Sequence, residues 1–195
     1  VITPIYEGTT YNHQLSLGVN LNNDVVAMWT GNPGSTAESQ LGQVLYSAVS
    51  ADLGATWTAR FNPFTDTAYC NNPFVGIATD DIFQQAPLGC VTVAGAPELW
   101  CAFNIRGGTN EGEFIAKETA VNGKWTIWKF VQDTITGAIT LIPQIHGADL
   151  PANKTHLLTL DGNVWFPVIH DITQLRNGSI VCSATLLKDS VFANE

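Results

Sequence analysis

The fold of this chain is decided by Ser-Ala-Asp-Leu-Gly-Ala-Thr-Trp at residues 50–57. The spacing Ser-x-Asp-x-Gly-x-Thr-Trp is typical of a tight turn between two strands. Gly54 supplies the positive φ that such a turn needs. The carboxylate of Asp52 can accept hydrogen bonds from nearby backbone N–H groups and hold the turn closed. We expect Trp57 to begin the next strand and to pack its ring against the neighbouring one.

Similar units repeat along the chain after residue 11. Alternating apolar residues predict four antiparallel strands in the first unit, with a long polar loop over residues 31–42. Residues 122–126, Asn-Gly-Lys-Trp-Thr, repeat the turn motif in degraded form, and Trp125 follows Trp57 by 68 residues. The sequence predicts an all-β chain of three such units, at about residues 11–65, 80–132 and 150–195. In the third unit we expect a hairpin at Asp161-Gly162 and a loop over residues 170–178.

The motif at residues 50–57 resembles the Asp-box of the sialidase-like β-propellers. This resemblance implies that each unit is a four-stranded blade, with the motif on the outer rim between the third and fourth strands. Such propellers have about six or seven blades, so three blades do not close a ring. The resemblance therefore implies that further chain, from the same or a cleaved polypeptide, completes the ring. A second copy of the chain is the alternative, and we consider it weaker because open blade edges must be covered.

Charge and composition exclude several classes of partner. Lys and Arg number 8 against 17 Asp and Glu, which gives a net charge of −9 and argues against nucleic acid or an anionic membrane. No apolar run approaches the roughly 18 residues that cross a bilayer. The sequons at Asn153 and Asn177 favour a secreted, glycosylated protein. Cys90 and Cys101 flank a hairpin, as a cross-strand disulfide or as two buried thiols. No cofactor is expected, and a structural calcium ion stays open.

In a propeller, each loop lies at one of the two ends of the blades. Segments that enter the innermost strands share one end with the loops between second and third strands, and most histidines and arginines map there. The predicted catalytic residues at this end are His13, His146 and Arg106. The predicted substrate-binding residues are Asn12, Glu38, Gln43, Gln85, His170 and Arg176. His170 and Asp171 could form a base with its orienting carboxylate, although neighbours in a strand face opposite ways.

The first unit has a narrower resemblance. Asn12-His13-Gln14, residues 26–30 and residues 38–47 resemble the opening blade of propeller enzymes that act on rhamnose–glucuronic acid linkages, both α-L-rhamnosidases and rhamnosyl-glucuronate lyases. This resemblance implies a secreted enzyme with a polysaccharide substrate and a catalytic histidine at His13. A lyase needs a base of near-neutral pKa and a cation that neutralises the uronate. His13 or His146 as base and Arg106 as cation would fit.

Two other function classes stay open. An exo-sialidase would have an Arg-x-Pro where this chain has Asn12-His13-Gln14, and Arg60 belongs to the rim because it follows the Asp-box. A glycosidase of the paired-carboxylate type would use Glu38, Glu111 or Glu113, which lie on the same face, although carboxylates on loops are usually solvated. A non-catalytic glycan-binding propeller is the third class. The Trp residues do not decide it, since most of them occupy predicted strand positions.

Overall fold

The computed structural model describes residues 11–37, 40–75, 81–84, 86–108, 110–118, 123–144 and 149–188. Within these ranges the chain forms β-strands and contains no α-helix, which confirms the predicted all-β class. None of the described segments is a helix with the length and apolar character needed to cross a bilayer. The strands are β1 Tyr11–Val19, β2 Val25–Asn32, β3 Val44–Ser50, β4 Ile82–Gln84, β5 Leu88–Val93, β6 Ala96–Arg106, β7 Gly112–Glu118, β8 Trp125–Asp133, β9 Ile139–Pro143, β10 Lys154–Thr155, β11 Leu158–Leu160, β12 Asn163–Gln174 and β13 Ile180–Lys188.

The strands form three sheets, in which every pairing is antiparallel. The first sheet has the order β1-β2-β3, and the third has the order β11-β12-β13. Between them lies the central sheet, with the order β10-β8-β7-β6-β4, in which β5 also pairs with β6 and β9 also pairs with β8. We call the end of the central sheet where β6 ends and β7 begins the upper end. The opposite end, with the β5–β6 and β7–β8 turns, is the lower end.

The turn at residues 50–57 has the predicted geometry. Asp52 accepts hydrogen bonds from the Thr56 N–H at 2.8 Å and from the Thr56 hydroxyl at 2.7 Å, and the Ser50 hydroxyl donates to it at 2.7 Å. Gly54 has a φ of +91°. Trp57 packs against the first sheet as expected, on the face of Ala27, Trp29 and Ala48 that points away from the central sheet. The predicted fourth strand is reduced to one bridge between Ser47 and Phe61.

Phenylalanine rings fill the interface between the first and central sheets. Phe103 and Phe114, from neighbouring strands of the central sheet, stack with centroids 5.2 Å apart. Phe64, from the segment that joins the two sheets, stacks on Phe103 at 4.5 Å. Met28 and Leu45 of the first sheet belong to the same buried cluster. Burial of side chains this large is worth about 1.5–3 kcal/mol each, so this interface fixes how the first two sheets sit together.

The third sheet covers the opposite face of the central sheet. Ile169 and Ile172 of β12 pack into a second buried cluster with residues of β5, β6 and β7. Gly89 lets the two backbones approach, because a Cβ there would lie 2.6 Å from the carbonyl oxygen of Ile172. The Gln174 side chain closes the contact by donating to the Thr92 carbonyl at 2.7 Å and accepting from its N–H at 2.8 Å. Because Ile172 meets Gly89 and Gln174 meets Thr92, β12 runs in the same direction as β5.

This direction corrects the prediction for residues 170–178. The hairpin at Asp161-Gly162 is present, but residues 170–174 continue β12 and only residues 175–179 form the turn to β13. The pairing register shifts between Ile169 and Asp171, so the polar pair that suggested a loop occupies a bulge. The 175–179 turn therefore lies at the lower end, beside Thr92, and not at the end where Arg106 lies.

Of the two alternatives predicted for Cys90 and Cys101, the structure has free thiols and no disulfide between them. The β5–β6 turn is centred on Ala94 and Gly95, both with positive φ, so Cys90 faces Leu99 and not Cys101. Cys101 is buried and Cys90 is exposed, and both are reduced.

The sequence also gave no sign of β9, which follows the Gly137 turn and adds an edge strand to the central sheet.

We predict that Asp52→Asn lowers the melting temperature at neutral pH. Hydrogen bonds from Thr56 and Ser50 lower the pKa of Asp52 to about 2, from an ordinary value of 3.8. The stability that this carboxylate contributes is therefore fully present above pH 3.8 and is lost as the pH falls through about 2. Melting curves of both proteins should converge across that window. Asp161→Asn, in the exposed β11–β12 turn, is the matched control, and an equal loss in that variant would contradict the account.

Candidate functional site

Charged side chains collect at the upper end of the central sheet. They come from the segments that lead into β4, β7 and β11, from the last residue of β6 and from the inward face of β8. The group consists of Asp81, Arg106, Glu111, Lys129 and His156.

Asp81 and Asn110 join two of these segments. Asp81 precedes β4 and Asn110 lies just before β7, and both are buried. The Asn110 amide nitrogen donates to Asp81 Oδ2 at 2.7 Å, and the Asn110 backbone N–H donates to Oδ1 at 3.3 Å. This double contact fixes the loop that carries Glu111.

Glu111 and His156 form a carboxylate–histidine pair. His156 Nε2 lies 3.7 Å from Glu111 Oε2, and both side chains are half-buried. The neighbouring His156 is the main cause that lowers the pKa of Glu111, with a smaller contribution from Lys129. His156 directly follows β10, which pairs with β8, and its ring packs edge-on to Phe166. Its imidazole is therefore held by a carboxylate on one side and an aromatic ring on another, the arrangement that orients a general base.

Lys129 lies beneath this pair. It occupies an inward position of β8, is 1% exposed, and has its ammonium 5.2 Å from the centroid of Phe114. Burial lowers the pKa of Lys129 to about 8, and the charges of Glu111 and Asp81 oppose that shift. Gly112 makes room for the lysine, since a Cβ there would lie 2.6 Å from Lys129 Cε. An amine of this kind can act as a cation for an acidic ligand or exchange a proton near neutral pH.

A second polar pair lies deeper, facing the third sheet. Asn104 and Glu113 stand opposite each other on β6 and β7, and both are fully buried. The Ile169 N–H donates to Glu113 Oε1 at 3.4 Å, while burial raises the pKa of Glu113 well above its usual range. Among the described groups, Glu113 Oε2 and both polar side-chain atoms of Asn104 have no hydrogen-bond partner. Glu113 is thus a buried carboxyl group and not the solvated carboxylate that the sequence suggested.

The predicted residues of the first sheet also lie at the upper end. Val19 ends β1 next to the β1–β2 turn, which lies beside Glu118 and Trp125 at the lower end, and its N–H donates to the Cys90 sulfur of β5 at 3.4 Å. Asn12 and His13 therefore begin β1 at the upper end. Asn12 Oδ1 accepts a hydrogen bond from the Trp29 indole at 3.1 Å, and the His13 side chain is exposed. Arg106 ends β6 at the same end and is partly buried.

Other predicted residues have different positions. Gln43 is buried and donates to the Phe83 carbonyl at 2.7 Å, so it ties the first sheet to the central one. His170 is hydrogen-bonded to the Thr185 hydroxyl at 2.8 Å, and the Asp171 carboxylate accepts from Thr173, so the His170–Asp171 pair is not formed. Arg176 is exposed in the 175–179 turn at the lower end. Glu38, Gln85 and His146 lie outside the described residues.

Sequence reasoning missed His156, Lys129 and Asp81. For Lys129 a signal existed, because it alternates with Trp125, Ile127 and Val131 on the inward face of β8, where a lysine is out of place. His156 had no comparable signal, since its partner is 45 residues away in another loop. Within the described ranges no group of three or more His, Cys, Asp or Glu side chains could hold a metal ion. The structural calcium stays a prediction.

Comparison with known proteins supports the fold. No family model and no curated protein matches the sequence. A solved structure described as the Hadza microbial sialidase Hz136 matches with a TM-score of 0.53 and 10% identity, over 92% of this chain and 33% of that one. The fold is that of the sialidase-like β-propellers. Two solved structures of the NanB sialidase from Streptococcus pneumoniae match at 12% and 13% identity, each with a TM-score of 0.39, over 96% of this chain.

The match also shows how much of the matched structures' length this chain covers. The chain spans about a third of the length of the solved structures that it matches. The predicted sialidase-like fold is confirmed. Completion of the ring by further blades stays a prediction.

We predict that the Lys129 amine titrates near pH 8 and that Glu111→Gln lowers its pKa further. The reason is that the Glu111 charge raises the pKa of Lys129 against the effect of burial. The measurement is nuclear magnetic resonance of the lysine amines after dimethylation with carbon-13. Glu98→Gln is the matched control, because Glu98 acts in the same way on Lys117 and should leave Lys129 unchanged. A Lys129 pKa that does not respond to Glu111→Gln would show that the two groups are not close.

Proposed function

We propose that this chain is part of a secreted carbohydrate-active enzyme that cleaves a glycan at an acidic sugar. The observation that carries the proposal is the Glu111–His156 pair above the buried Lys129, at the upper end of the central sheet. An oriented imidazole beside a buried cation suits a substrate that bears a carboxylate. The structural neighbour described as a sialidase supports a carbohydrate substrate.

The chemistry that we favour is elimination at a glucuronic acid residue. His156 takes the proton from the carbon next to the uronate carboxylate, and the electron pair forms a carbon–carbon double bond. As the double bond forms, the bond between the next ring carbon and the glycosidic oxygen breaks. The departing oxygen takes a proton from solvent. Glu111 keeps the imidazole oriented and stabilises its charged form. Lys129 and Arg106 supply the positive charge that offsets the developing charge on the uronate.

The first sheet supplies a second candidate base. His13 lies exposed at the upper end and matches the position implied by the resemblance to rhamnosyl-glucuronate lyases and rhamnosidases. Asn12 beside it adds an amide group. Further blades, from the same or a cleaved polypeptide, would complete the walls of such a site. Secretion is supported by the sequon at Asn177, which is exposed, whereas the Asn153 amide donates to Asp133 at 2.8 Å.

An exo-sialidase-type hydrolase is the second candidate, and the name of the structural neighbour favours it. Against it, Asn12-His13-Gln14 replaces the arginine motif, and Arg60 lies with its guanidinium 4.5 Å from the Tyr46 ring centroid on the first sheet. A non-catalytic glycan-binding propeller would use the same upper end without turnover.

The experiment is product analysis on an arabinogalactan whose ends carry rhamnose–glucuronic acid. A lyase produces an unsaturated uronate that absorbs near about 235 nm, because the double bond is conjugated with the carboxylate after proton abstraction. We expect His156→Gln to lower the rate of that absorbance change by about 100-fold or more. Glu98→Gln, far from the pair, is the control with unchanged rate.

Each other outcome has a distinct meaning. Loss of rate in His13→Gln but not in His156→Gln would keep the lyase and move the base to the first sheet. Free rhamnose without absorbance would indicate hydrolysis, and release of sialic acid from a sialoglycan would indicate the second candidate. Glycan binding with no product at all would contradict the enzyme and leave a binding protein.

A further inference from the structure

A separate cleft opens at the lower end, between the first and central sheets. It has a volume of about 480 Å³. One wall comes from the β1–β2 turn and from the residues after the Asp-box, and the other comes from the end of β7 and the start of β8. Because β7 runs from Gly112 at the upper end to Glu118 in this cleft, the two sites lie about 20 Å apart, at roughly 3.3 Å per residue.

Aromatic rings form one side of the cleft. Phe61 and Tyr69 stack with centroids 4.0 Å apart, and Tyr69 is 38% exposed. Trp125 closes the floor and is almost fully buried. These rings offer an apolar surface with the negative face of a π-system, which attracts both hydrocarbon and positive charge.

Glu118 is the one acidic group among the described residues that line the cleft. It is 7% exposed, and its carboxylate accepts a hydrogen bond from the Leu21 backbone N–H. Its Oε2 atom has no hydrogen-bond partner among the described groups. Burial, together with the nearby Asp24 charge, raises the pKa of Glu118 to about 7. A buried acceptor without a donor costs free energy, and a ligand that brings a donor would recover it.

Two other polar side chains of the cleft, Asn20 and Ser47, already have partners. The Asn20 side chain accepts from the backbone N–H groups of Asn22 and Asp24, both at 2.9 Å, and donates to the Asp24 carboxylate at 3.3 Å. The Ser47 hydroxyl donates to the Ala27 carbonyl at 3.0 Å. Among the described residues that line the cleft, the buried side-chain acceptor without a donor is therefore on the Glu118 carboxylate.

We propose that this cleft binds a small organic cation, a protonated amine with an apolar body. The ammonium group pairs with the Glu118 carboxylate, and the apolar body lies against Phe61 and Tyr69. The net charge of −9 on the chain favours a cationic ligand over an anionic one. The site is independent of the proposed glycan chemistry at the upper end, so either proposal can fail without the other.

The pH dependence of binding follows from the groups around Glu118. Asp24 lies on the β1–β2 turn, Tyr69 lies on the segment before the central sheet, and the Lys124 ammonium donates to the Thr67 carbonyl at 2.6 Å. Affinity for an amine rises as the pH passes upward through about 7, because Glu118 ionises while the amine is still protonated.

The test is isothermal titration calorimetry of the intact protein with phenethylamine at about pH 8, with 2-phenylethanol as the uncharged counterpart of the same shape. We expect the amine to bind at least about tenfold more tightly than the alcohol, and Glu118→Gln to remove that difference. Asp161→Asn, which removes one negative charge at the upper end, is the matched control and should bind the amine as the unaltered protein does.

Three results would overturn the proposal: no heat of binding with the amine, equal affinity for the amine and the alcohol, or an unchanged preference in Glu118→Gln. Should Glu118→Gln fail to fold, the unaltered protein still decides. Its affinity for phenethylamine has to fall by about tenfold between pH 8 and pH 6, and a flat profile would count against Glu118.

Discussion

The structure depends on burial of the central sheet on both faces. Phe103 and Phe114 project toward the first sheet, while Ala102 and Ile115 of the same strands project toward the third. A sheet covered on both faces needs apolar residues at nearly every position, and β6 and β7 follow that rule over most of their length. Replacement of a buried phenylalanine by alanine in such a layer costs about 3–5 kcal/mol. The packing is thus strong enough to hold polar groups that would otherwise be expelled from the interior.

Buried polar groups of the central sheet lie toward both ends of its strands. Lys129, Asn104 and Glu113 sit near the upper end of the layer, where the apolar pattern stops and the loops with Asp81 and Glu111 begin. Each of them lowers stability, because a buried charge or an unpaired amide loses hydration. Their accumulation around one carboxylate–histidine pair is what the physics of a functional site leads us to expect. At the lower end, Glu118 is likewise a buried polar side chain, but it lies in the cleft lined by aromatic rings.

The sequence predicted those features that depend on local chemistry. Ser50, Asp52 and Thr56 close their turn with bonds between residues two and four positions apart, so spacing alone was enough to find it. The alternation of apolar and polar residues also predicted the strands of the first sheet. The direction of β12 was not predictable in this way, because it depends on Gly89 admitting the backbone of Ile172 from a distant part of the chain. The polar side chains of His170 and Asp171 concealed the strand, since a bulge and a loop have the same composition.

Propeller geometry predicted that Arg106, His13 and Arg176 share one end. Arg106 and His13 do lie together at the upper end, whereas Arg176 lies at the other end because the β12–β13 turn is at the lower end. The most direct test of the central claim is a double-mutant cycle on glycan cleavage with Glu111→Gln and His156→Gln. If the pair acts as one unit, the double variant will be no slower than His156→Gln alone. Rate losses that multiply independently would contradict the account, because the two side chains would then act without each other.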